Sequence, residues 1–149
     1  MYTSKEMQVV AVTNRSLCHR PFPEQLEMVC QTHPAFIILR EKDLPEQDYK
    51  KLAAQVLELC HSYKVPCVLH TYPDAARALG CTSIHLPLPL LREYAHELND
   101  FTQIGSSVHS VEDAMEAERL GATYVTAGHV YVTDCKKGLA PRGLEFLRN

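Results

Sequence analysis

The chain has 149 residues, enough for one domain with a real core, and 46% hydrophobic against 22% charged residues is ordinary globular composition. Fifteen Lys and Arg against eighteen Asp and Glu leave a formal net charge of -3 with no concentrated basic block, which argues against a nucleic-acid partner. No apolar run approaches the ~20 residues of a spanning helix, and the charged start to Gln8 has no apolar signal core, so the sequence predicts a cytoplasmic protein that does not enter a membrane.

In chain order, Gln8 to Thr13 is a short β-branched apolar run, predicted as a first strand buried on both faces. Leu26, Val29 and Cys30 then recur at helical spacing behind Pro23, and His33-Pro34 stops that helix. A second strand, Phe36 to Leu39, runs directly into Arg40-Glu41-Lys42-Asp43. The segment from Glu46 to Tyr63 carries one apolar stripe through Tyr49, Leu52, Ala53, Val56, Leu59, Cys60 and Tyr63 and reads as the clearest helix. Cys67 to Leu69 is a third strand leading into His70-Thr71-Tyr72, followed by a short helix from Pro73 to Leu79 that Gly80 stops. Ser83 to Leu86 is a fourth strand, Pro87-Leu88-Pro89 opens a helix to about Leu98, and Thr102 to Ser106 is a fifth strand. Ser110 caps the next helix, Gly121 ends it, and Ala122 to Thr126 is a sixth strand.

Six strands alternating with helices through short connections imply βα repetition about a parallel sheet. Both an open doubly wound sheet and most of a (β/α)8 barrel fit, and both keep their chemistry at the carboxyl ends of the strands. Glycine-rich phosphate loops are absent. The loop after strand six, Gly128 to Gly138, gathers His129, Cys135, Lys136 and Lys137, a mixture that suits a functional connection. The competing reading is a satisfied polar histidine, an inert thiol and solvated lysines. Six cysteines without a C-x-x-C pair read as mostly buried thiols in a reducing compartment, with Cys30, Cys60 and Cys67 beside or inside apolar segments. The histidine spacing gives no metal site.

With the strands placed, the chain resembles the thiamin phosphate synthase and TenI superfamily of (β/α)8 TIM barrels. The resemblance rests on Leu39-Arg40-Glu41-Lys42-Asp43 after strand two, Ile104-Gly105-Ser106-Ser107-Val108-His109-Ser110 at strand five, and Gly128-His129-Val130-Tyr131 through Lys136 at strand six. It implies that residues 1–149 form a single TIM-barrel-type domain of about six βα units, a truncated or incomplete barrel lacking the last two units and their phosphate-binding loops. The two open edges, on strands one and six, are able to pair with other chains, so a homo-oligomer is compatible with the sequence.

The departures from the synthase pattern are specific. Ile38 stands where synthases carry Gln, His70-Thr71-Tyr72 where they carry Asn-Asp-Arg, Pro87-Leu88-Pro89-Leu90 where a magnesium-binding acidic residue follows His-Leu, and His129 where they carry proline. These resemble the TenI branch, the thiazole tautomerases. The expectation that follows is a cofactor-free isomerase of thiamin biosynthesis acting on a carboxythiazole phosphate. His129 would serve as general acid and base. Arg40, Lys42, His70, Ser106 and Lys136 would hold the phosphorylated thiazole substrate, with no metal. His85 and His109 are expected in core or supporting positions. The alternatives are thiamin phosphate synthase, a transferase, and a non-catalytic regulatory or binding protein on the same fold. For Arg40 and Lys42 the competing reading is an ion-pair cluster with Glu41 and Asp43 on a solvated rim.

Overall fold

The structure, a computed structural model, describes residues 7–128. The residues His129, Cys135 and Lys136 therefore lie outside the described residues. The described chain alternates six strands with five α-helices, and it divides into two compact units, Met1–Cys81 and Thr82–Asn149. The α/β alternation read from the sequence is present element by element.

The first unit holds β1 (Val10–Val12), α1 (Phe22–Gln31), β2 (Phe36–Ile38), α2 (Glu46–Ser62), β3 (Cys67–His70) and α3 (Pro73–Ala78). Its strands pair in parallel in the order β1, β2, β3, with Val12 opposite Ile38 and Ile38 opposite Val68. Ile37, Ile38, Leu39, Val68 and Leu69 are buried; of the expected α2 stripe, Tyr49, Ala53, Val56 and Cys60 are buried, while Leu52, Leu59 and Tyr63 lie half-buried at its margins. Three-residue and four-residue strands this apolar have one stable environment, between helices on one side and packed side chains on the other.

β1 departs from the expected double burial. Val10 and Val12 are 38% and 53% exposed. β1 has β2 as its neighbour in this unit and bonds through Thr13 N to Ile38 O at 3.0 Å, so its valines supply strand propensity without being enclosed.

The second unit holds β4 (Ser83–Pro87), α4 (Leu88–Tyr94), a 3-10 turn at Ala95–Glu97, β5 (Gln103–Val108), α5 (Val111–Arg119) and β6 (Tyr124–Ala127). β5 lies between β4 and β6, parallel to both. The helix expected to reach Leu98 loses its α geometry after Tyr94, and β5 runs two residues past Ser106 because Ser107 and Val108 continue the pairing with Thr126 and Ala127. Ser110 caps α5 by accepting from Asp113 N at 3.0 Å, and Gly121, at φ +101°, follows its end.

After α3 the positive-φ position is Gly80, at +71°, but the first two helices end on side-chain-bearing residues where glycine would be easier. His33 after α1 and Lys64 after α2 sit at φ +50° and +57°. Each still closes a turn, with His33 N donating to Cys30 O and Lys64 N to His61 O, both at 3.0 Å.

Candidate functional site

At the carboxyl ends of β1 and β2 the chain builds a charged cluster around one buried carboxylate. Glu41 is 5% exposed and accepts from Thr13 Oγ1 at 2.6 Å, from Arg15 N at 2.9 Å and from Arg15 Nε at 2.9 Å. Arg15 reaches on to Asp43, its Nη2 lying 2.9 and 2.7 Å from the two carboxylate oxygens. These hydrogen bonds, with Asp43 first and Glu41 after it, hold the Arg15 pKa above its usual value despite partial burial. Charge-assisted bonds of this kind contribute roughly 1.5 to 3 kcal/mol each where they are shielded, and less at the exposed Asp43 end.

The consequence falls on Arg40 and Lys42. Arg15, which the competing reading did not include, takes both acids, and Arg40 forms no ion pair with either. Arg40 instead fixes its backbone, N to Thr13 Oγ1 at 3.0 Å, and its guanidinium has no hydrogen-bond partner among the described residues. Arg40 and Lys42 line a cavity of about 260 Å³ together with Asn14, Ser16 and the Arg15 cluster. The Arg40 guanidinium, beside an acid pair that Arg15 already neutralises, is suited to an anion.

The end of β3 is held by Tyr49. Its buried hydroxyl donates to Leu39 O and accepts from His70 N, both at 2.7 Å, so one phenol joins the ends of β2 and β3. Burial drives the Tyr49 pKa far above the ordinary tyrosine value, which keeps it a donor. Just beyond, Thr71 has φ +75° and Tyr72 N donates to His70 O at 2.9 Å, the strained hand of the γ-turn on a β-branched residue. His70 Nδ1 lies 2.6 Å from Thr71 Oγ1, and the Tyr72 hydroxyl donates to Leu44 O at 2.7 Å. His70 is thus 2% exposed and clamped by its neighbours in a tight bend.

In the second unit a polar row crosses all three strands. His85, Gly105 and Tyr124 are register partners, and the Tyr124 hydroxyl reaches across the glycine to within 3.0 Å of His85 Nδ1. Nε2 of the same ring lies 2.8 Å from Ser107 Oγ, which also accepts from Thr126 Oγ1 at 3.3 Å. Burial raises the Tyr124 pKa well above the usual phenol value, so the hydroxyl keeps its proton.

Ser106, the residue singled out in the sequence, takes the other side of β5. It is fully buried in the row of Leu86 and Val125, and its Oγ has no hydrogen-bond partner among the described residues. His109 Nδ1 donates to Gly128 O at 2.7 Å and its N–H donates to Asp113 Oδ2 at 3.0 Å, tying the end of β5 to the last described residue after β6. His85 and His109 have the core and supporting positions expected of them.

The structure therefore brings Arg40 and Lys42 to one cavity and sets His70 at the end of the adjacent β3, while Ser106 faces apolar neighbours. The sequence reading gave no site role to Thr13, Arg15, Ser107 or Tyr124, and it offered Glu41 to Arg40 and Lys42 rather than to Arg15. For Ser107 and Tyr124 a signal was present: alternation along β5 puts residues 105 and 107 together, and a lone glycine inside a strand marks close approach by another group. For Arg15 no periodic pattern pointed to pairing across 26 residues of sequence with Glu41.

No helix among the described residues is long and apolar enough to cross a membrane. The sequence model of the family described as thiamine monophosphate synthase (TMP-TENI) matches residues 9–149. The thiamine-phosphate synthase of Clostridium acetobutylicum is 32% identical over 149 residues, which cover 97% of this chain and 70% of that protein. That of Clostridium novyi is 33% identical over 144 residues, covering 92% of this chain and 69% of the relative. Among solved structures, the thiamine phosphate pyrophosphorylase from Pyrococcus furiosus is similar with a TM-score of 0.74 and 28% identity, over 95% of this chain and 67% of the other.

Proposed function

The chain belongs to the thiamine monophosphate synthase (TMP-TENI) family, and from that premise we propose that it is a thiamin-biosynthetic protein binding a phosphorylated thiazole, with the transferase activity named for its relatives as the first reading. The observation that carries this reading is identity of about one third with thiamine-phosphate synthases across nearly the whole chain. The site supports an anionic ligand: Arg40 and Lys42 line a cavity where Arg15 has already neutralised the nearby acids. The second unit separately carries a polar row, Ser107 Oγ beside His85 Nε2 with the Tyr124 hydroxyl at Nδ1. His70 and Ser106 remain substrate-side candidates of this proposal, as do His129 and Lys136 outside the described residues.

Magnesium, which the synthase resemblance implies, does not fit the described residues. Glu41 and Asp43 are committed to Arg15, β4 ends in Pro87 with Leu88-Pro89 opening α4, and no group of three His, Cys, Asp or Glu among the described residues could hold a metal ion.

That donor set favours a second reading, the thiazole tautomerase, whose proton transfer needs no metal. His129 would carry the proton from the ring carbon bearing the carboxylate to the exocyclic carbon, and Arg40 and Lys42 would steady the substrate's negative charge. One experiment separates the two. The purified chain is incubated with hydroxymethylpyrimidine pyrophosphate, thiazole phosphate and magnesium, and in parallel with the carboxythiazole phosphate tautomer alone. Pyrophosphate release supports the synthase; ring aromatisation lost on His129→Asn supports the tautomerase. Neither product, with retained binding of the thiazole phosphate, would reject both activities in favour of a binding protein.

A further inference from the structure

The turn that carries Lys42 is held at its exit by a residue that neither proposed activity uses. Glu41 to Leu44 is closed by Leu44 N, which donates to Glu41 O at 3.3 Å, with Lys42 and Asp43 in the two central positions. The entry is anchored by the Glu41 carboxylate, which Thr13 and Arg15 hold. The exit is anchored from the end of β3: the Tyr72 hydroxyl donates to Leu44 O at 2.7 Å, across 28 residues of sequence. The Tyr72 ring lies on that of Tyr49 at a centroid distance of 5.2 Å, and the Tyr49 hydroxyl donates to Leu39 O at 2.7 Å. Two tyrosines in contact therefore pin the chain on either side of Arg40 and Lys42, one at Leu39 and the other at Leu44. Packing alone does not account for Tyr72. A phenylalanine would make the same ring contact, and water could satisfy the hydroxyl of a half-buried tyrosine, yet this hydroxyl sits on a backbone carbonyl of the neighbouring loop. The approach is also strained: Tyr72 follows Thr71 at φ +75°, a β-branched residue held in left-handed backbone, and Tyr72 N donates back to His70 O at 2.9 Å.

We propose that Tyr72 is a positioning residue for the anion site: by holding Leu44 O, its hydroxyl fixes the turn that presents Lys42 to the cavity Lys42 shares with Arg40. The inference rests on the reading of that cavity as the place where a phosphoryl anion binds. Lysine is a point charge on a flexible four-carbon stem, so the affinity it contributes depends on how firmly its backbone is held. With the Leu44 bond made, the entry and exit of the turn are both fixed before the anion arrives. Without it, binding has to order the exit as well, and affinity falls. Tyr72 acts through Lys42 and touches no ligand.

The test is calorimetric titration of inorganic pyrophosphate into the whole chain, into Tyr72→Phe, into Lys42→Ala and into the double variant, with urea unfolding of each to establish that it is folded. Phenylalanine keeps the ring contact with Tyr49 and so isolates the hydroxyl. Tyr72→Phe and Lys42→Ala are each expected to weaken binding about fivefold, and the double variant to bind no more weakly than Lys42→Ala, since Tyr72 then has no ammonium group left to position. A tyrosine with a merely structural role gives a different pattern: the two losses multiply in the double variant, or Tyr72→Phe binds like the parent, and either result overturns the proposal. The failure of the underlying reading looks different again. A parent protein that did not bind pyrophosphate, or a Lys42→Ala variant that bound it unchanged, would reject Lys42 as part of an anion site and the role of Tyr72 with it. Weaker binding in Lys42→Ala with none lost in Tyr72→Phe would reject the role of Tyr72 alone.

Discussion

The Tyr124 hydroxyl and His85 Nδ1 meet at 3.0 Å only because Gly105, between them in the register, has no side chain. A Cβ on Gly105 would fall inside the contact radius of Tyr124 Cζ and Oη and of His85 Nδ1, two ring systems that are themselves packed at a centroid distance of 5.6 Å. Gly105→Ala should therefore cost about 1 to 3 kcal/mol, the usual penalty for overpacking a closed site. Tyr124→Phe, which keeps the ring and removes one hydrogen bond, should cost only about 0.5 to 1.5 kcal/mol. Urea unfolding reads both: a Gly105→Ala midpoint equal to the parent protein's would show that the row can open freely.

Alkaline stability should report the buried phenols. Burial lifts the pKa of Tyr49 and of Tyr124 above the ordinary ~10. Below that pH, folded and unfolded chains both hold these protons and the contribution is complete. As pH rises past about 10 the unfolded chain releases them and the folded chain does not, so stability is lost at up to about 1.4 kcal/mol per pH unit for each group. Tyr49→Phe should flatten the slope between pH 10 and 11 while lowering stability at pH 7, because Leu39 O and His70 N lose their shared partner. An unchanged slope would mean Tyr49 ionises in the folded protein.

The apolar runs and their stops were legible residue by residue. Tyr49, Ala53, Val56 and Cys60 share a face because 3.6 residues make a turn, and Ser110 and Gly121 bound a helix through local chemistry alone. Periodicity does not carry pairing across the sequence, so Arg15 on Glu41 was not visible and Arg40 was offered a partner it does not take. Ser106 and Ser107 are neighbours in sequence on opposite faces of β5, and choosing between them required knowing which face His85 and Tyr124 occupy. The tautomerase branch rests largely on His129, outside the described residues, while the family membership rests on the chain as a whole.

Lys64 offers a stabilising substitution. It closes α2 at φ +57°, a region that costs a side-chain-bearing residue roughly 1 kcal/mol and glycine little. Lys64→Gly should raise the unfolding free energy by about 0.5 to 1 kcal/mol, since the gain in the cap is partly offset by greater freedom in the unfolded chain. A lower thermal midpoint would show that the exposed lysine contributes more to the folded state than its backbone geometry costs.

The charged cluster predicts a separation between stability and binding. Glu41 accepts three hydrogen bonds in a buried setting, so Glu41→Gln should destabilise the chain by about 1 to 3 kcal/mol by removing the charge that holds Arg15 and one acceptor from Thr13 or Arg15. Arg40 lines the cavity, and its backbone bond to Thr13 survives truncation of the side chain. Arg40→Ala should leave the unfolding midpoint near that of the parent while weakening pyrophosphate binding about tenfold, the equivalent of roughly 1.4 kcal/mol. Calorimetric titration of inorganic pyrophosphate, paired with urea unfolding of each variant, reads the two effects independently. If instead Glu41→Gln abolished pyrophosphate binding at unchanged stability and Arg40→Ala did not weaken it, the anion would depend on the Glu41 pairing, and Arg40 would have no part in the site.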